Sequence, residues 1–178
     1  MPGPELYPRA EFELLELYDV ALPQVHGYLL GRCGQRALAE DLTAETFLAA
    51  AEGVRAETPP EVTTGWLIGI ARHKLVDHWR RQDVEQRHLR VLAGEQRDEH
   101  DPWDERIDAM LARAVLAELG AHHRAALTLR YLDGLSVPEV AEHLERGVEA
   151  TETLLVRARR AFRSVYTAHL ERDERNNR

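Results

Sequence analysis

Residues 135–163, LSVPEVAEHLERGVEATETLLVRARRAFR, constrain this chain most, because their pattern fits two helices joined by a tight turn. Ser136 followed by Glu139 is a capping-box start, and Pro138 falls in the first turn, where a missing N–H is harmless. Val137, Val140, Ala141 and Leu144 put one apolar stripe on the first helix. Glu145-Arg146-Gly147 then breaks the pattern, with Gly147 free to adopt a left-handed conformation. A second stripe, Val148, Thr151, Leu155, Ala158 and Phe162, predicts a longer second helix. The ten residues from Leu154 hold Arg157, Arg159, Arg160 and Arg163 and no acid. A helix apolar on one face and arginine-rich toward its end suits a duplex groove, as in helix-turn-helix proteins. The plainer alternative is an αα-hairpin with a solvated cationic face.

The 178-residue length allows one domain or two small ones. The net charge of −8 taken alone argues against nucleic acid, but its distribution matters more than its sum. Residues 1–64 carry −7, 65–82 carry +3, 83–105 carry −5 and 106–178 carry +1. The cations are thus gathered into two segments on an otherwise repelling body. Non-specific DNA binding depends on phosphate contacts and is weakened by this layout, so the protein is not expected to work on DNA alone.

Periodicity predicts helices and no strand. Phe12, Leu15, Tyr18, Leu22, Val25 and Leu29 form one stripe, interrupted by Pro23 and ending at a break over 31–34. Residues 37–55 form a second helix with Leu38, Leu42, Phe47, Ala50, Ala51 and Val54 inward. Thr64 is placed to cap a third helix, with Trp66, Leu67, Ile70, Ala71 and Leu75 buried and its end near Arg81. Trp66 reads as core. Trp79, followed by Arg80-Arg81, reads either as a rim residue or as a ring on which an unpaired base stacks. Residues 83–105 read as an acidic linker, although Val84 to Leu92 would also continue the preceding helix. A second helical block begins near Asp104, runs Ile107 to Leu119, breaks at Gly120 and turns at Asp133-Gly134. The fold class is therefore all-α: two small helical domains joined by an acidic linker, the second containing the helix-turn-helix. The boundaries are 1–82, 83–105 and 106–170, with 171–178 a disordered tail.

In this order the segments resemble the extracytoplasmic-function (ECF) sigma factors of bacterial RNA polymerase. AEDLTAETFLAAA (39–51) is similar to the acidic helix by which that family grips the polymerase clamp. TTGWLIGIARHKLVDHWRRQ (63–82) is similar to its promoter-melting, −10-reading helix, and AALTLRYLDGLSVPEVAEHL (125–144) to the entry of its −35-reading helix-turn-helix. The likeness spans roughly residues 10–82 and 106–168. It implies polymerase contacts from Asp41, Leu42, Glu45, Thr46 and Phe47, with Ala44 standing where glutamine is usual and Phe47 equally readable as core. It implies −10 contacts from Arg72, His73, Lys74, Asp77, Trp79, Arg80 and Arg81, with His73 in place of asparagine. It implies −35 contacts from Ser136, Glu149, Thr151, Glu152, Thr153, Arg157 and Arg160. Glu152 and Leu154 replace the family's usual lysine and arginine. Either an atypical −35 sequence is read, or Arg157 and Arg160 hold phosphates alone.

The resemblance implies a sigma factor that binds core RNA polymerase and promoter DNA, directs melting and transcription initiation, and is often restrained by an anti-sigma factor. A polymerase-independent helix-turn-helix regulator is the alternative. No enzyme is expected: HExxH, CxxC, a Gly-rich phosphate loop and a nucleophile elbow are all missing from the sequence, so no catalytic residue, metal or cofactor is assigned. His73 and His78 share no face, and the adjacent His122 and His123 are expected to point apart. The lone Cys33 excludes an internal disulfide. No apolar run reaches membrane-spanning length, and MPGPELYPRAEFE lacks a signal core, so a cytoplasmic protein without membrane partners is expected.

Overall fold

A computed structural model describes residues 9–89 and 109–176, with side chains placed over 9–84 and 109–175. Among the described residues every regular element is helical: α1 (Arg9–Cys33), α2 (Arg36–Gly53), α3 (Thr64–Leu89), α4 (Ala109–Glu118), α5 (Ala121–Leu127), α6 (Val137–His143) and α7 (Val148–Asn176). A single π-type stretch, Thr128–Leu132, follows α5. The chain divides into two compact units between Leu75 and Val76, inside α3. Trp79 and Asp83, which follow this division on the same helix, are buried.

In the first unit α1 packs on α2. Ala10, Leu14, Ala21, Val25, Leu29 and Cys33 are its buried residues. The predicted stripe is correct for Val25 and Leu29 but out of phase in the first turns. Phe12, Leu15 and Tyr18 are 55%, 62% and 41% exposed. Leu14 and the small Ala21 supply the contact instead, and a one-residue offset on a helix turns a side chain by about 100°. Gly34 then takes a positive φ of 68°, where a Cβ would be strained. In α2 the buried positions are Ala39, Leu42, Thr43, Thr46 and Ala50. Thr43 and Thr46 are satisfied by donating to the carbonyls of Ala39 and Leu42 at 2.6 and 2.7 Å. The α3 cap is Thr63 rather than the expected Thr64: its Oγ1 accepts the Trp66 N–H at 3.1 Å. The Trp66 ring lies against Gly53, where a Cβ would come within 3.2 Å of it. α3 continues to Leu89, so the expected linker opens as helix. The acidic run over 90–105, the helical start near Asp104 and Ile107, and the final two residues lie outside the described residues.

In the second unit the core gathers Leu116, Leu119, Leu127 and Ala158, with Ala161, Phe162 and Val165 packed against it. The end of α4 is capped by Arg124, whose guanidinium donates to the Leu116 carbonyl at 2.8 Å, to Leu119 at 3.1 Å and to Ala117. The α6 start is the expected capping box: the Glu139 carboxylate accepts from the Ser136 N–H at 2.7 Å and from its Oγ at 2.5 Å.

The turn after α6 differs from expectation. Gly147 is not the left-handed residue; Glu145 is, at φ 50°. Glu145 N–H donates to the Glu142 carbonyl at 3.0 Å and Arg146 N–H to Ala141 at 2.9 Å, the pairing of a Schellman motif. Such a motif usually places glycine where Glu145 stands. A non-glycine residue there costs about 1–2 kcal/mol. Past the helix-turn-helix, α7 extends to Asn176 instead of fraying from 171. Tyr166 is buried and His169 Nε2 lies 2.7 Å from a Glu118 carboxylate oxygen, which ties the late turns of α7 back to α4.

Candidate functional site

The three groups of residues singled out from the sequence fall on α2, α3 and α6–α7. On α2, Asp41 is exposed and Glu45 half-buried, with Lys74 Nζ 4.0 Å from its carboxylate. Leu42 and Thr46 do not belong to this surface. They are 1% and 0% exposed, because α2 turns them toward α1, and they serve the core. Phe47 lies between these extremes: half-buried, edge-on to Tyr18 at 4.9 Å between ring centroids. Sequence reasoning missed Leu48, 66% exposed on the same face as Asp41, Glu45 and Glu52. The signal was present in the i, i+4, i+7, i+11 spacing from Asp41. The face thus combines carboxylates with one large apolar side chain.

On α3, His73, Asp77 and Arg81 are exposed, while Arg72, Lys74 and Arg80 are half-buried. Trp79 is the clear correction. It is 1% exposed, so in this conformation it packs in the core and offers no ring to a base. Its indole N–H, fully shielded, has no acceptor within reach. Asp83, read as the first linker residue, is also buried. Arg80 is engaged on both sides. Nη1 lies 3.4 Å from Asp77 and 2.7 Å from Glu145 Oε1, and Nη2 pairs with Glu145 Oε2. The hydrogen bond to the Glu145 carboxylate, aided by its charge, raises the Arg80 guanidinium above its already high ordinary pKa. Beside this pair lies a cavity of about 340 Å³.

On α6 and α7, Ser136 is exposed but engaged in capping. Glu149, Glu152 and Thr153 are exposed, and Thr153 Oγ1 donates to the Glu149 carbonyl at 3.1 Å. Thr151 corrects the sequence reading: it is 0% exposed and donates to the Gly147 carbonyl at 3.0 Å. It sits on the inner stripe with Leu154 and Leu155, so no base reaches it. Leu154, where the family has arginine, is buried too. Arg157 is half-buried and Arg160 exposed. The outer face therefore begins acidic and becomes basic two turns later.

His122 and His123 do not point apart. Their ring centroids are 4.1 Å apart, and His122 Nδ1 lies 2.8 Å from Asp83 Oδ1, without hydrogen-bond alignment. Among the described residues no three His, Cys, Asp or Glu side chains converge as metal ligands. No described helix is long and apolar enough to cross a membrane.

Comparison with known proteins adds the family. Residues 17–85 match Sigma-70 region 2 and residues 109–162 match Sigma-70 region 4. The ECF RNA polymerase sigma factor BldN of Streptomyces coelicolor is 36% identical over 82% of this chain, which spans 57% of that relative. The ECF RNA polymerase sigma factor SigM of Bacillus subtilis is 30% identical over 85% of this chain and 93% of its own length. The fold is similar to that of the sigma factor RpoE, solved in complex with the anti-sigma factor NepR from Bartonella quintana, with a TM-score of 0.53, 20% identity and coverage of 88% and 98% of the two chains. A region 2 ahead of the helix-turn-helix removes the alternative of a polymerase-independent regulator. The two matched regions, in this order and together with these relatives, show that the chain belongs to the extracytoplasmic-function RNA polymerase sigma factors.

Proposed function

We propose that this sigma factor divides its work between an acidic protein-binding face and two cationic DNA-binding faces. Asp41, Glu45 and Leu48 on α2 meet a basic surface of core RNA polymerase, with Phe47 at the rim. The carboxylates supply orientation and encounter rate, and Leu48 supplies desolvated area. Leu42 and Thr46 act only by holding α2 in phase. Residues 9–82 hold the −10 element through Arg72, His73, Lys74, Asp77, Arg80 and Arg81, and residues 109–170 hold the −35 element. There Arg157 and Arg160 meet phosphates, while Glu149, Glu152 and Thr153 face the base edges. Carboxylates accept from cytosine amino groups, which argues for an atypical −35 sequence.

Sigma factors are DNA-binding regulators, and we assign no reaction to this chain: polymerase supplies the metal ions and the chemistry. The cytoplasm is the compartment this reading requires. RpoE was solved with an anti-sigma factor, and we extend a partner of that kind to this chain. The observation that carries the reading is the outer face of α2, where Asp41 and Leu48 are exposed and Glu45 is half-buried beside Lys74. Run-off transcription with purified core polymerase on a promoter library tests it. Initiation from a defined pair of elements is the expected result. Tight binding to a duplex as a symmetric pair, with no affinity for core polymerase, would overturn it.

A further inference from the structure

Helix α7 buries Thr151, Leu154, Leu155 and Ala158 along one side. At about 100° per residue, Glu149, Thr153, Val156 and Arg160 fall within about 40° of the line opposite Thr151, with Glu152 at their edge. All five are exposed. Glu149, Glu152, Thr153 and Val156 stand at i, i+3, i+4 and i+7, the spacing with which a homeodomain helix presents side chains to base edges in a major groove. Their chemistry is narrow. None carries the guanidinium, ammonium or amide that pairs with guanine or adenine edges. Thr153 donates its hydroxyl proton within the helix, to the Glu149 carbonyl at 3.1 Å. What remains is two carboxylates and, between them and Arg160, a branched apolar side chain that is 38% exposed. Val156 comes one turn after Glu152 and one turn before Arg160, where the face passes from acidic to basic. A β-branched side chain is stiff at χ1, so its two methyls keep one position. In the major groove thymine is the base that offers a methyl group, and apolar side chains meet it.

We propose that Val156 is a specificity-determining residue for the −35 element, seating the C5-methyl of one thymine close to the cytosine whose amino group donates to Glu152. This rests on the reading of α7 as the helix that enters the −35 major groove. Four residues of helix advance by about 6 Å, and base pairs rise by about 3.4 Å, so the two bases lie no more than two pairs apart. The surface fits a cytosine with a thymine beside it. It disfavours guanine at the first of these places, because the N7 and O6 acceptors would meet a carboxylate.

The test uses holoenzyme assembled from core polymerase and the full chain. Library transcription first gives the preferred −35 element. Each thymine in it, on either strand, is then replaced by deoxyuridine, which removes the C5-methyl and leaves every hydrogen-bonding group in place. One such replacement should lower promoter affinity about three- to five-fold, the effect of one buried methyl. Val156→Ala should cause a similar loss on the thymine promoter and leave it indifferent to that replacement. The melting temperature of Val156→Ala should stay level or rise, because the side chain is exposed and alanine favours helix, so a lost contact is told apart from lost folding. A −35 element in which no thymine is sensitive to loss of its methyl overturns the proposal, as does equal sensitivity in Val156→Ala. The reading of α7 fails separately, if the holoenzyme footprint leaves the −35 element unprotected.

Discussion

Helices α2 and α7, which the proposed function assigns to different kinds of partner, differ in what each exposes around a similar core. Each has a threonine turned inward and hydrogen-bonded to the preceding turn, Thr46 to Leu42 and Thr151 to Gly147. Each buries leucine beside it, Leu42 in one case and Leu154 with Leu155 in the other. Outside, α2 shows Asp41, Glu45, Leu48 and Glu52, while α7 begins with Glu149 and Glu152 and turns to Arg159 and Arg160. The difference teaches that half of each recognition motif is structural. Motif residues one position apart, such as Asp41 and Leu42, have opposite duties because a helix turns them to different sides.

The largest effect that would break this comparison belongs to the buried half. Leu42→Ala should destabilise the first unit by about 2–5 kcal/mol in urea or thermal unfolding. Loss of polymerase affinity at unchanged stability would return Leu42 to the interface. Next comes the exposed half of α2. Asp41→Arg with Leu48→Asp should lower core-polymerase affinity by about 2 kcal/mol, or roughly 30-fold, with unchanged circular dichroism, since neither side chain is core. On α7, Arg157→Ala with Arg160→Ala should reduce promoter-directed initiation about tenfold, and the salt dependence of DNA binding should fall by nearly two phosphate contacts. Polymerase affinity should stay within about twofold, because the proposed polymerase contacts lie on α2 and not on α7. The smallest effect sharpens the picture. Thr151→Val should cost about 1 kcal/mol in stability through its lost hydrogen bond, yet leave the preferred −35 sequence unchanged in library transcription. A shifted preference would put Thr151 back among the base-reading residues.

Much of this molecule was legible in the chain. Helical period, the Ser136–Glu139 box, the Asp133-Gly134 turn and the order of three segments follow from short-range chemistry, which acts between residues a few positions apart. The same locality explains why the first turns of α1 read out of phase. Phe12 and Leu15 are as periodic as Leu14 and Ala21, and only the position of α2 decides which set is covered.

The sequence by itself determined an all-helical chain with two cationic segments on an acidic body, because periodicity, capping and charge are properties of neighbours along the chain. Tertiary structure alone decided that Trp79 is sealed, that Thr151 faces inward, that Glu145 rather than Gly147 bends left-handed, and that its carboxylate finds Arg80. Those outcomes depend on which faces meet across 65 residues of chain, and no pattern confined to one helix specifies its partner.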